Sequence, residues 1–374
     1  MPFTFPLDPA ELFAERARQF RGWGIPRGVI ERVRARIDDA WRDGAGGWTT
    51  EWVREGEAAE RAGRSLLASA CYGAAKFPSL VTAARREAYA RQLACYLAAA
   101  RGFPCAFERR ELAVPYRGAT APVAAHLFSP RGTRGAAAPL VIVSGGVDTW
   151  KMELHRIALL FVQFGGFRVA AIDMPGTGES RIPLAPDADE VYRGALEAVR
   201  GGAARTASFG LSAGGPWAAK LVLTGAVDAG VDLGGPVGAA PRDGAALMRM
   251  PNGMPGIVAN AVRLDALPPP EEAAKLVELF SLRGAGLLTP RATAPLLAVN
   301  GSDDAYVPAA DLDVFRAFPN ATVWSIPGAT HCAAEKIVPV LLATVAWLRV
   351  QLRGDRLTDR LLLATLTRTI VRPR

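Results

Sequence analysis

Residues 206–223 read Thr-Ala-Ser-Phe-Gly-Leu-Ser-Ala-Gly-Gly-Pro-Trp-Ala-Ala-Lys-Leu-Val-Leu, and this stretch decides the fold. Its first four residues are the short apolar kind that forms a buried strand, while 213–223 has helical composition, so Ser212 falls on a sharp strand-to-helix turn. A serine on such a turn lifts its hydroxyl clear of the sheet edge in a strained backbone conformation. Small neighbours at Gly210, Gly214 and Gly215 let strand, turn and helix come close enough to hold it. In a chain with 38 glycines the pattern Gly-x-Ser-x-Gly arises by chance about 0.1 to 0.2 times, so the flanking elements carry the reading.

Working outward, short apolar segments at 140–144, 168–172, 231–233, 295–300 and 322–326 read as buried parallel strands. Helical stretches near 151–164, 187–200, 214–226, 309–317 and 333–352 separate most of them. Two strands at 111–116 and 123–128, joined by a turn at Arg117-Gly118, precede this alternation. The expectation is an α/β fold with a mostly parallel, doubly wound sheet after an antiparallel start. The segment 235–290 is too long for an ordinary crossover and is expected to form one wall of a pocket. Before residue 107 the character differs: Ala, Arg, Glu and Leu recur at helical spacing, punctuated at Gly24-Ile25-Pro26, Gly44 to Gly47 and Phe77-Pro78. Three units are therefore expected: an N-terminal helical unit at 1–106, a catalytic unit at 107–353 and a C-terminal helical tail at 354–374.

A serine hydroxyl needs a base to take its proton, and three histidines are available. His126 falls inside an apparent strand and reads as structural. His155 falls on the first crossover helix and reads as a surface or pocket-edge residue. His331 is different, because it follows the last strand in the loop Pro327-Gly328-Ala329-Thr330-His331-Cys332, where a ring can be presented to the neighbouring strand tips. The carboxylate that orients it is assigned to Asp304, in Gly301-Ser302-Asp303-Asp304-Ala305-Tyr306-Val307-Pro308, with Asp303 as the competing choice. Two backbone amides must meet the developing oxyanion. Ala213, following the nucleophile, supplies one; the loop Ser144-Gly145-Gly146-Val147 supplies the other, from Val147 with Gly146 second.

Composition bounds the alternatives. Half the residues are hydrophobic and no apolar run reaches the length of a membrane span. The start, MPFTFPLDPAELFAERARQF, lacks the basic, apolar and small-residue succession of a secretory signal, so a cytoplasmic protein is expected. The net charge of +8 comes mostly from arginines interspersed with acids, which argues against nucleic acid as a partner; the basic stretch from Arg16 to Arg36 and the end from Arg368 to Arg374 read as solvated surface. Cys71, Cys95, Cys105 and Cys332 show no metal-ligand spacing and read as buried thiols. Asp173-Met174-Pro175-Gly176-Thr177-Gly178-Glu179-Ser180 lacks the Lys-Ser/Thr ending of a phosphate loop. No metal and no cofactor are expected, and the partner is a small-molecule substrate.

The order Ser212, Asp304, His331, with Gly145-Gly146 after a strand and the 173–180 motif, resembles the α/β-hydrolase superfamily over 107–353. The helical first part, Val114-Pro115-Tyr116-Arg117-Gly118, Gly145 to Glu153, Phe280-Ser281-Leu282 and Gly286-Leu287-Leu288 are similar to a narrower family: that of 2,6-dihydroxypseudooxynicotine hydrolase, fungal polyketide-shortening hydrolases of pigment synthesis, and FrsA-like proteins. The resemblance implies an α/β-hydrolase fold with an N-terminal helical cap over the Ser212 pocket, and a homodimer. It implies cleavage of a carbon–carbon bond beside a ketone on a hydroxylated aromatic or polyketide-derived substrate, or ester hydrolysis; a non-catalytic FrsA-like regulator is a third reading, against which the intact Ser, Asp and His argue. In the pyridine-cleaving relative a catalytic glutamate follows the oxyanion loop. Asp148 holds the matching position, so a proton-transfer role is expected of it.

Overall fold

Strands β1 (Ala106–Tyr116) and β2 (Ala119–Ser129) form an antiparallel hairpin paired along its whole length, from Ala106 opposite Ser129 to Tyr116 opposite Ala119. Its two-residue turn is Arg117-Gly118, both at positive φ (49° and 74°), the turn geometry whose twist suits a tight hairpin. The hairpin is longer than the sequence indicated, because the exposed residues Glu108 to Arg110 carry no apolar signal. This computed structural model describes residues 3–132, 137–241, 244–354 and 356–371.

β2 also pairs antiparallel with β4 (Arg168–Ile172), and from there the sheet is parallel: β3 (Leu140–Ser144), β5 (Thr206–Leu211), β6 (Ala229–Leu233), β7 (Leu296–Gly301) and β8 (Ala321–Ile326). The strand order is β1-β2-β4-β3-β5-β6-β7-β8. Side chains alternate between faces as strand geometry requires. Ile142, Ala170 and Ala298 pack under α7 (Ala188–Arg200) and α8 (Gly215–Leu223). Val141, Val143 and Val299 pack under α6 (His155–Gln163) and α13 (Ile337–Leu352). Both faces are thus covered, which is why the central strands read as continuous apolar runs.

Five helices precede the sheet: α1 (Pro9–Trp23), α2 (Arg27–Arg34), α3 (Trp48–Arg61), α4 (Ser65–Lys76) and α5 (Ala83–Ala99). Asp8 caps α1 by accepting from the Ala10 amide at 2.7 Å, and Thr82 caps α5 by accepting from the Arg85 amide at 3.2 Å. They enclose an aromatic core of their own around Phe13, Phe20, Trp48, Trp52 and Phe77. The long segment after β6 folds into α9 (Gly244–Met248), α10 (Met254–Ala261) and α11 (Pro270–Glu278), and α12 (Ala309–Asp313) follows β7.

Three expectations need correction. Arg16 is not solvated but buried, drawn inward by Asp148 at 3.1 Å. His155 is neither surface nor pocket edge: Tyr96 meets its Nδ1 at 2.9 Å and Phe103 packs on its ring. His126, by contrast, is buried in a strand as expected, stacked on Tyr96. At the C-terminal end, α14 (Leu357–Ile370) docks on α13 with Ile370 buried and Asp359 paired to Arg349 at 2.6 Å; Arg368 is exposed, and 372–374 lie outside the described residues. Finally, α13 starts later than the sequence suggested, because Cys332 and Ala333 take left-handed conformations (φ 55° and 53°) directly after His331.

Candidate active site

Ser212 directly follows β5 at φ 55°, a left-handed conformation that a non-glycine residue holds at a cost of roughly 1–3 kcal/mol. The short turn 212–214 then feeds α8. Because β3 and β5 are neighbours in register, with Ser144 opposite Gly210, the loop leaving β3 lands beside the serine. It comes very close: a Cβ on Gly146 would lie 3.0 Å from the Ser212 Cβ and 3.2 Å from the Ala213 nitrogen. Val147, next in the loop, is buried and faces the cavity in front of Ser212.

His331 leaves β8, three strands from β5, and must cross the ends of β7 and β6 to arrive. Glycines at both ends allow this. A Cβ on Gly301 would sit 2.1 Å from the Ala329 and Thr330 carbonyl oxygens, and one on Gly234 (φ 76°) would sit 2.5 Å from the Cys332 sulfur. The crossing is pinned by Asn300, whose side-chain oxygen accepts from the Cys332 amide at 3.0 Å, and by the Cys332 thiol, which donates to the Leu233 carbonyl at 3.2 Å. The result is one hydrogen-bonded line: Ser212 Oγ lies 2.8 Å from His331 Nε2, and His331 Nδ1 lies 2.7 Å from Asp304 Oδ2. Asp304 also accepts from Asn300 Nδ2 and the Tyr306 amide, both at 2.7 Å. Asp303 instead points to Ser302, in an exposed position.

Burial alone would raise the Asp304 carboxyl, but the bonds from His331, Asn300 and Tyr306 hold it below the usual carboxylate range. For His331, burial opposes the charged ring, yet Cys332 and Asp304 outweigh it and keep the pKa well above the ordinary histidine value. A base must be neutral to accept the serine proton, so kcat/KM is expected to rise with pH and level off only above that raised pKa. Asp304→Asn removes one of the two partners that favour the charged ring. The limb should move to lower pH while the plateau falls. A wild-type limb at or below the ordinary histidine value, read from a pH–rate profile, would contradict this electrostatic reading.

A cavity of about 70 Å³ opens in front of Ser212 and His331. Its walls come from the segment after β6, through Leu247, Met250, Met254, Leu276 and Phe280, with Val147 and Val307 beside them. Among the described residues, none that lines it belongs to the N-terminal helices. A wider, open hollow of about 470 Å³ lies by Arg168 and Gly201 at the opposite end of the strands, far from Ser212. Tyr306 is the polar wall residue that the sequence did not suggest. Its ring centroid stands 5.1 Å from that of His331, and its hydroxyl donates to Glu15 of α1 at 2.6 Å and accepts from Asn252 at 3.0 Å. Tyr306 follows Asp304 by two residues, a proximity that flags it only once the acid is assigned. Glu15 and Asn252 carried no such signal. Asp148 does not line the cavity: its buried carboxylate faces Arg16 and accepts from Thr149 at 3.0 Å. Among the described residues, no group of three or more His, Cys, Asp and Glu side chains is arranged to hold a metal ion, and no helix is long and apolar enough to cross a membrane.

Comparison with known proteins places these features. A family model described as "Esterase FrsA-like" matches residues 36–351. The chain is similar to Esterase FrsA of Photobacterium profundum, 29% identical over 173 residues, which cover 41% of this chain and 39% of that protein. It is also similar to Esterase FrsA of Vibrio vulnificus, 26% identical over 187 residues, covering 45% of this chain and 43% of that one. The match therefore spans about two-fifths of the length of these curated relatives. Among solved structures, AbyA5 (wild type) superposes with a TM-score of 0.79 at 25% identity, covering 96% of this chain and 99% of that one. The 2,6-dihydroxy-pseudo-oxynicotine hydrolase does so with a TM-score of 0.71 at 22% identity, covering 90% and 95%, a likeness of fold.

Proposed function

The chain belongs to the esterase FrsA-like family of α/β-hydrolases, and on that premise we propose that it is a serine-dependent hydrolase acting on a ketone or activated acyl carbonyl of an aromatic or polyketide-derived substrate. The observation that carries the reading is the line from Ser212 Oγ through His331 to Asp304, at 2.8 Å and 2.7 Å. Ser212 Oγ bonds to the carbonyl carbon as His331 Nε2 takes the hydroxyl proton, and Asp304 supports the charged ring. The Val147 and Ala213 amides receive the carbonyl oxygen as it becomes an oxyanion. The bond to the leaving group then breaks, that group takes the proton from His331, and water releases the acyl group from Ser212 as a carboxylic acid. An apolar cavity wall suits an aliphatic or aromatic substrate.

Carbon–carbon cleavage demands more than ester cleavage, because the departing carbon must be stabilised as it takes the electron pair. A hydroxyl ortho or para to the ketone meets the need by letting the ring tautomerise. Ordinary carboxylic-ester or thioester hydrolysis by the same three side chains is the second reading, supported by the esterase description of the family. A panel of an aryl ester, an acylphenone and a 1,3-diketone separates them. Acid release from the ketones supports the first reading, and turnover of the ester alone supports the second. Failure of a fluorophosphonate to label Ser212, with no turnover of any of the three, would overturn both.

A further inference from the structure

The N-terminal helices leave the cavity wall to other segments, yet they converge on the backbone that directly follows the Val147 amide. Lys76, at the end of α4 and fully buried, donates to the Asp148 carbonyl at 3.4 Å, lies 3.3 Å from the Trp150 ring centroid and stands 3.5 Å from Glu153. Gln92 of α5 donates to the same Glu153 carboxylate at 2.6 Å. From α1, Arg16 faces the Asp148 carboxylate at 3.1 Å, and Gln19 donates to the Thr149 hydroxyl at 2.5 Å. Inside the segment, Glu153 accepts from the Trp150 amide at 2.7 Å, and the Trp150 indole donates to the Val147 carbonyl at 3.1 Å.

Ordinary packing does not require this arrangement. Taking two cations and two carboxylates out of water is costly, and well-packed apolar side chains in such places often give equal or greater stability. What directional donors add is fixed geometry, and here all of it is applied to one short stretch. We propose that Lys76 and Arg16 are positioning residues for the oxyanion hole, holding segment 148–153 so that the Val147 amide meets the oxygen of the tetrahedral intermediate. The inference rests on the serine-hydrolase reading above. It assigns the Asp148 carboxylate to the anchoring of Arg16.

The test compares Lys76→Met and Arg16→Met with the wild-type enzyme on an aryl ester, and measures the affinity of an aryl trifluoromethyl ketone, which forms a tetrahedral adduct with the serine. Removing an oxyanion donor outright costs about a hundredfold to a thousandfold in kcat, so displacing one should cost about tenfold to a hundredfold. KM should stay within about threefold, the ketone analogue should weaken by the same factor as kcat, and Arg16→Lys should recover part of the loss. Ile30→Ala, in the apolar core of the N-terminal helices, is the control: it should lower Tm and leave kcat in place. Should Lys76→Met fail to fold, Arg16→Met decides. Unchanged kcat, a loss in KM alone, or an equal kcat loss in Ile30→Ala would overturn the proposal. Failure of the serine-hydrolase reading registers separately, in the wild-type protein, as absence of fluorophosphonate labelling.

Discussion

Ser212→Ala is expected to reduce kcat by about ten-thousandfold or more while leaving Tm within a few degrees of the wild type. The substitution deletes one oxygen, and alanine occupies the left-handed backbone at φ 55° about as readily as serine does. His331→Ala should cost nearly as much, because the imidazole at 2.8 Å from Ser212 Oγ is the base that the serine proton requires. The double variant is the informative one. Groups that act as a unit lose their joint contribution once, so Ser212→Ala/His331→Ala should be scarcely slower than either single change. Steady-state kinetics with an aryl ester, beside thermal unfolding of each protein, would measure this. Multiplicative losses would mean that His331 supports the loop without serving the serine.

The second large effect concerns the N-terminal helices. Removal of residues 1–105 should abolish turnover of every substrate, small or large, and leave a remnant that associates. Tyr89 of α5 and Lys76 of α4 pack on Trp150, and the ring cluster of Tyr96, Phe103 and Phe107 spans the boundary. Their loss uncovers a contiguous apolar surface. Had the helices served only as a lid, small esters would escape the effect. The cavity lining, which among the described residues draws nothing from these helices, together with the contacts of Lys76 and Arg16 to the oxyanion loop, makes the loss general. Expression of 106–371 followed by light scattering and ester kinetics checks both parts. A monodisperse remnant with wild-type kcat would show that the two parts work independently.

What could be read from the sequence was what short-range pattern encodes. Strands β3 to β8 announced themselves as apolar runs because helices cover both faces, and Ser212, Asp304 and His331 each lie in a short segment of recognisable chemistry. Arg16 and Lys76 escaped, since a charged side chain within a basic or helical stretch reads as solvent-facing unless its distant partner is known. Asn300 and Tyr306 escaped for a related reason: a strand-end amide and a loop tyrosine acquire meaning only when β7, β8 and α1 meet. The 235–290 segment was anticipated as a pocket wall with a helical fragment at 271–280, where α11 lies, but α9 and α10 were not resolved, because they are too brief for periodicity to declare itself. The left-handed pair Cys332-Ala333 had no signal at all.

The segment between β6 and β7 supplies most of the apolar residues that line the cavity and none of the three side chains in the Ser212 line. On the proposed mechanism, recognition and reactivity sit on separable lengths of chain. Changes at Leu247, Met254 or Phe280 are expected to alter which acyl group fits while Ser212, His331 and Asp304 stay where they are. A library confined to 244–280 is expected to explore substrate range with little risk to the line from Ser212 to Asp304.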